Sequence, residues 1–237
     1  MDEQLGTMLG VWAHPDDETY LVAGLMARAA RNGSRVVCVT ATRGEGGSFD
    51  EEKWPSATMG QVREQELLRG LAVLGDIEHH FLDCADIDMD APLDESGRPK
   101  VDELMREVQP DSVFTFGPDG MTDHAGHKSV CEWTTEAFAA IAKPGAKLYY
   151  ATATPDWAEE FVPIYNQYDV FRPGTPPITP REELAIQYML PPDILELKLR
   201  AIEQHESQVG AMVEAFGEDF FRRAMKEELF RLAAAKE

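Results

Sequence analysis

With 237 residues the chain is long enough to bury one sizeable core without staples. Its 22 Lys and Arg stand against 43 Asp and Glu, a formal charge of -21, and such a surface repels nucleic-acid phosphates and anionic membranes. Three separated cysteines without a CxxC, no basic leader and no run of eighteen apolar residues argue against a disulfide framework, a thiolate zinc site or membrane insertion, so a cytoplasmic protein is expected.

The first apolar segment, Met8 to Ala13, is short and bounded by polar residues, as a buried strand requires. From Glu18 the period changes: Leu21, Leu25, Met26 and Ala29 recur at helical spacing until Asn32 and Gly33 close the run. "SRVVCVTATRG" is then β-branched and continuous, the pattern of a strand covered on both faces. The alternation continues with a helix from about Met59 to Leu74, a strand in "IEHHFLD", a helix in "VDELMREVQ" and a strand in "DSVFTFG". A helix in "HKSVCEWTTEAFAAIA" and a strand in "AKLYYATAT" follow. Strands alternating with helices predict an α/β fold, a Rossmann-like, doubly wound and mainly parallel sheet between two helical layers. A single domain over 1–237 is expected, with its core at about 8–151 and an irregular excursion at about 155–180. C-terminal helices at about 192–235 close it, "EDFFRRAMKEELFRLAAA" reading as the last amphipathic helix.

In open α/β sheets ligands bind beyond the carboxyl ends of the strands, which singles out three junctions. At "AHPDDE" His14 and Asp17 are three residues apart across a strand-to-helix turn that Pro15 stiffens, so imidazole and carboxylate can converge on a metal, with Asp16 left between them. Acids in a first helical turn also serve as caps and complement the helix dipole, but capping gives no reason for His14. At "FGPDGMTDHAGH" His124 and His127 are again three apart; alone, an HxxH reads more readily as two loop residues. Taken together, two histidines and one carboxylate make a three-ligand set that leaves a fourth zinc position open, the composition of a catalytic site. The glycines of "TRGEGGSFD" follow the second strand and lack GxGxxG, which argues against a nucleotide cofactor; Arg43 and Glu45 there are candidates for binding substrate hydroxyls.

"AHPDDE", "TRGEGG", "VREQELLRGLAVLG" and "FGPDGMTDHAGH" together resemble the PIG-L, or LmbE-like, family of zinc-dependent de-N-acetylases acting on N-acetylglucosamine-type amino sugars. The resemblance covers about Met8 to Ala151, and "KLRAIEQHESQ" is similar to a late segment of bacterial members. It implies His14, Asp17 and His127 as zinc ligands, Asp16 as general base and His124 as an assisting catalytic residue. Many members read HPDH where this chain reads "HAGH", which removes an outer partner of the histidines. Arg63 and Glu66 match the family's helix pattern, and Arg43, Glu45, Arg63 and Asp83, with Asp86, are the expected substrate-binding residues near strand ends. The expected ligands are Zn2+, with Fe2+ or another divalent ion also suited to His and carboxylate donors, and a small amino-sugar substrate. A homo-oligomer through the C-terminal helices is open. Trp157, Phe161, Tyr165 and Tyr168 are expected to pack the excursion against the core more than to stack on sugar rings. An amidase of a sugar-thiol conjugate would use the same metal and base residues. A sugar-binding protein of low turnover and a structural metalloprotein are the rival classes, neither of which needs a spare Asp16.

Overall fold

The computed structural model describes residues 5–86 and 89–233. The chain runs β1 (Met8–Trp12), α1 (Asp17–Leu21), α2 (Ala23–Arg31), β2 (Val36–Thr40), α3 (Ser56–Leu74), β3 (Glu78–Phe81) and α4 (Gly97–Val108). It continues with β4 (Ser112–Thr115), α5 (Gly120–Asp123), α6 (Ala125–Ile141), β5 (Lys147–Ala151), α7 (Pro155–Tyr165) and β6 (Ile186–Met189). The last elements are α8 (Pro192–Glu203), α9 (Glu206–Phe216), α10 (Glu218–Ala224) and β7 (Glu227–Leu232).

All seven strands form one sheet in the order β3-β2-β1-β4-β5-β7-β6. The first five are parallel, and β7 runs antiparallel to both β5 and β6. Strands β1, β2 and β4 are buried at every position, which is why they read as continuous apolar runs rather than alternating ones. Helices α4 and α6 pack together on one face, while α2, α3 and α8 pack together on the other. The α/β/α sandwich is therefore the predicted one. The winding reverses between β1 and β4, whose carboxyl ends open the crevice where such sheets take ligands.

A second apolar cluster lies outside α8, where Phe161 and Tyr165 of α7 meet Leu199, Ile202, Val209, Phe220 and Phe221. Trp157 joins it and donates its indole N–H to Ala224 O at 2.8 Å, whereas Tyr168 is 42% exposed at the edge. The aromatics of the excursion are packing residues, as expected.

Three expectations are corrected. The stretch 155–180 is not irregular throughout, because it opens with α7, started by Pro155 at its first position. The helix expected from Glu18 breaks at Val22, whose φ of -141° separates α1 from α2. The region 192–235 is not wholly helical: after α10 the chain turns into β7, which fills the gap between β5 and β6. The residues 234–235 of that last helix lie outside the described residues. Among the described residues no helix is long and apolar enough to cross a membrane.

Candidate metal centre

Strand β1 ends at Trp12, and the next turn delivers His14 to the crevice. The Asp17 carboxylate folds back over the turn, its Oδ2 accepting hydrogen bonds from the backbone N–H of His14 at 2.8 Å and of Ala13 at 3.2 Å. The acid thereby fixes the turn and keeps its second oxygen for another partner.

The opposite wall comes from the turn after β4. Gly120, Met121 and Asp123 all have positive φ, a tight path that brings the carbonyl of Gly120 under His127. His127 Nδ1–H donates to that carbonyl at 2.8 Å, which leaves the lone pair on Nε2 facing the crevice. Phe116 stacks on the imidazole with centroids 4.1 Å apart and planes 8° from parallel, fixing the plane of the ring. His124 is the N-cap of α6, its Nδ1 accepting the N–H of Gly126 at 3.1 Å, so in the neutral ring Nε2 carries the proton.

The donor atoms converge. His14 Nδ1 is 3.1 Å from His127 Nε2, His127 Nε2 is 3.4 Å from Asp17 Oδ1, and His14 Nδ1 is 3.7 Å from Asp17 Oδ2. Ligands at ~2.0–2.1 Å from a tetrahedral ion are ~3.3–3.4 Å apart, so these spacings fit a shared divalent ion. On its far side His14 Nε2 faces Asp86 Oδ1 at 3.6 Å, an outer carboxylate that turns Nδ1 towards the cluster. Ring nitrogens of His14, His124 and His127 also lie within 4.8 Å of one another, which puts His124 beside the same point.

The charge states follow from burial and neighbours. Burial pulls the His14 imidazole down, but Asp86 and Asp17 outweigh it and leave its pKa raised. Burial, reinforced by the neighbouring His14 and His127, takes His124 down to about 3; His127 is likewise pushed well below the usual range. Asp86 falls to about 2 because the pull of His14 exceeds the burial that opposes it. The adjacent carboxyls of Asp16 and Asp17 are both raised by burial, against the pull of Arg63 on the first and of His14 on the second.

Asp16, between His14 and Asp17 in the same turn, keeps 19% of its side-chain surface open. Arg63 lies behind it, nearly fully buried, and donates from Nη2 to Asp16 Oδ2 at 3.2 Å and to Pro15 O at 2.7 Å, and from Nη1 to Gly44 O at 3.2 Å. Nothing in its spacing foretold that hold on Asp16. Arg43 lies over Phe81 and pairs with Glu64 and Asp83, so this arginine and the 56%-exposed Asp83 sit together at the outer rim. Glu45 packs on Gly60 and keeps Oε2 buried without a hydrogen-bond partner. Asp86, grouped by sequence with the loop acids, proves to be the partner of His14, and Gly46 N–H reaches its Oδ2 at 3.3 Å. Glu18, Thr19 and His205 were not expected at the site; the signal for His205 was the late "KLRAIEQHESQ" segment.

An open α/β sheet carrying acids and histidines at its switch point defines an α/β protein with a cluster of potential metal ligands in its crevice. A family model described as GlcNAc-PI de-N-acetylase matches residues 9–138, more than half of the chain. The chain belongs to this PIG-L family. It is 34% identical over 140 residues to a 1D-myo-inositol 2-acetamido-2-deoxy-alpha-D-glucopyranoside deacetylase of Corynebacterium diphtheriae, covering 50% of this chain and 47% of that one. A protein of the same description from Rhodococcus erythropolis is 28% identical over 239 residues, covering 85% and 81%. The chain thus spans about half the length of the first relative and most of the second. Among solved structures, N,N'-diacetylchitobiose deacetylase from Pyrococcus horikoshii shares the fold with a TM-score of 0.66 at 21% identity, over 96% of this chain and 83% of that one. So does a 4-carboxy-2-hydroxymuconate hydratase from Pseudomonas putida, with a TM-score of 0.63 at 18% identity and 98% of each chain covered. One fold therefore carries hydrolase and hydratase, and the reaction must be argued from the site.

Proposed function

We propose that the protein is a metal-dependent hydrolase that removes the acetyl group from an N-acetylglucosamine-type amino sugar or its conjugate. One observation carries this reading: His14 Nδ1, His127 Nε2 and the two carboxylate oxygens of Asp17 converge within 3.1–3.7 Å, and Asp16 in the same turn is not among them. A structural site has no use for that fourth residue. The descriptions of the relatives, all acting on acetylated amino sugars, support the substrate class.

His14, Asp17 and His127 would hold a divalent ion, Zn2+ or Fe2+ by the chemistry of these donors, which would supply Lewis acidity towards the acetyl carbonyl and the attacking water. Asp16 provides the base. Its Oδ2 is engaged by Arg63, so Oδ1 is the atom that takes the proton of the attacking water. His124, neutral with the proton on Nε2, donates a hydrogen bond to the oxygen that gains charge as the tetrahedral carbon forms. Asp16 then returns its proton to the departing amine nitrogen, and acetate and the free amino sugar leave. Arg43 and Asp83 at the rim, with Glu45 inside it, suit the hydroxyls of a sugar. A single domain over 1–237, acting in the cytoplasm, agrees with the unbroken sheet and the three free cysteines.

The test is acetate release from N-acetylglucosamine, its β-linked dimer and inositol- and cysteine-linked conjugates, with and without added Zn2+ or Fe2+. Asp16→Asn is expected to bind metal as the parent does and to lose at least about a hundredfold in kcat. An Asp16→Asn enzyme of near-parental rate would remove Asp16 from the mechanism.

A further inference from the structure

Asp16 has an unusual backbone. Its φ of 115° with ψ of -32° lies where side-chain-bearing residues are seldom found, and such a conformation persists only when its surroundings hold it. The carbonyl side is tied down by ordinary helix-start bonds: Asp16 O accepts from Thr19 N at 2.9 Å, Tyr20 N at 3.1 Å and Thr19 Oγ1 at 2.8 Å. The other side decides φ, because rotation about N–Cα swings the peptide plane between Pro15 and Asp16. That plane is gripped at both edges. Arg63 Nη2 holds its oxygen, Pro15 O, at 2.7 Å, and Glu18 Oε2 accepts its N–H, that of Asp16, at 3.2 Å.

Glu18 is an odd residue for the first turn of a helix, where acids normally point into water. It is fully buried, and its second oxygen faces His205 Nε2 at 3.4 Å, on a ring that is itself fully buried. His205 comes from the junction of α8 and α9, and Gly70 of α3 leaves the room for it, since a Cβ there would stand 3.2 Å from Nε2. The segment behind His205 is anchored as well. Ser207 donates its backbone N–H and its hydroxyl to Glu66 at 2.8 and 2.6 Å, and Gln208 Nε2 reaches Gly47 O at 2.9 Å.

We infer that Glu18 is a positioning residue for the general base: its carboxylate, steadied by His205, holds the peptide plane that keeps Asp16 in its strained conformation and its carboxylate at the metal centre. This rests on the hydrolase reading above and deepens it. The late segment around His205 thus acts on the first junction of the chain without touching substrate.

The experiment compares Glu18→Met, which fills the volume but accepts no hydrogen bond, with Glu18→Gln, which keeps an acceptor for the Asp16 N–H. On a substrate the parent hydrolyses, Glu18→Met is expected to lose at least about 30-fold in kcat, with KM within about twofold and an unchanged metal-to-protein ratio, while Glu18→Gln recovers to within about threefold. His205→Phe, which removes the support without opening a cavity, is expected to lower kcat by a smaller factor at constant KM, and it carries the kinetic comparison if Glu18→Met does not fold. A merely structural Glu18 would lower the melting temperature and leave kcat of the folded enzyme alone. Parental kcat in Glu18→Met, or Glu18→Gln as slow as Glu18→Met, overturns the inference. A parent that releases acetate from nothing overturns the hydrolase reading instead. The positioning role is then decided by crystal structures of Glu18→Met and His205→Phe: an Asp16 φ that leaves the positive region supports it, and one that stays near 115° in both sinks it.

Discussion

At the scale of single residues, position 127 shows how a departure from a motif is absorbed. The loss of an aspartate at 126 suggested a histidine without an outer partner, yet His127 Nδ1 has one in the backbone carbonyl of Gly120. A carbonyl fixes the tautomer as a carboxylate would, so the ligand nitrogen keeps its orientation. This was not legible in the sequence, because the left-handed path through Gly120, Met121 and Asp123 belongs to no periodic pattern. His79 on β3 yields a residue-scale prediction. Its ring is largely buried, with Nε2 3.0 Å from Thr40 Oγ1, and burial lowers its pKa to about 4 although the Glu18 charge opposes. Its pKa is therefore lower in the folded chain than in the unfolded one, which binds more protons between these values. The stabilisation is complete above about pH 6.5, falls as the pH drops through 6.5, and levels off below about 4. Allowing for the solvent that reaches the ring, its size is about 2 kcal/mol. His79→Gln cannot titrate, so urea unfolding between pH 7 and 4.5 should cost the parent about 2 kcal/mol more than this variant. Parallel stability curves for the two proteins would contradict the assignment.

At the scale of elements, the alternation from β1 to β5 and the helices between them were legible because buried parallel strands and amphipathic helices differ in period. The end of the chain was not. "KEELFRL" has good helix formers and charges at helical spacing, but β7 slots between β5 and β6, whose open edges supply its hydrogen bonds. One strand residue ties this late element to the front of the molecule. Glu228 accepts the N–H of Gly24 at 2.7 Å and of Leu25 at 2.9 Å, the free donors at the start of α2, and pairs with Lys198 of α8 at 2.8 Å. Both partners are almost wholly buried, Lys198 1% and Glu228 0% exposed at the side chain. Breaking such a pair from one side strands a charge, so Lys198→Met is expected to destabilise by about 3–5 kcal/mol. Lys198→Met with Glu228→Gln removes both charges and keeps an acceptor at the helix start, and should recover a large part of that loss. Urea midpoints of the parent, the two single variants and the double variant give the coupling directly; additive losses would mean that the pair acts as two independent residues.

At the scale of the whole molecule, the formal charge of -21 is concentrated in consequence where carboxylates are buried together. Asp16, Asp17 and Glu18 follow one another at the end of β1, and Asp86 approaches His14 from the end of β3, so the crevice gathers like charges that repel when nothing cationic lies between them. Arg63 answers one of them, and His14 and His127 stand between the others only as largely neutral bases or as a cation shared with Asp86. A divalent ion bound here would offset part of this repulsion and tie the turn after β1 to the turn after β4 through His14, Asp17 and His127, so the folded state would bind it far more tightly than the unfolded chain. Linkage then sets the size of the effect: at a free ion concentration of 100 times Kd, binding adds about 2.7 kcal/mol. For a chain of this length that corresponds to a rise in Tm of about 5–10 °C. Protein stripped with a chelator and dialysed is expected to melt lower by that amount and to recover on adding Zn2+ or Fe2+, with the increment growing by the logarithm of the free ion. His127→Ala should abolish the increment while Asp16→Asn keeps it, because the first removes a ligand and the second only a neighbour. A melting temperature indifferent to chelator and metal in the parent would mean that His14, Asp17 and His127 hold no ion, and the convergence of their donor atoms would need another cause.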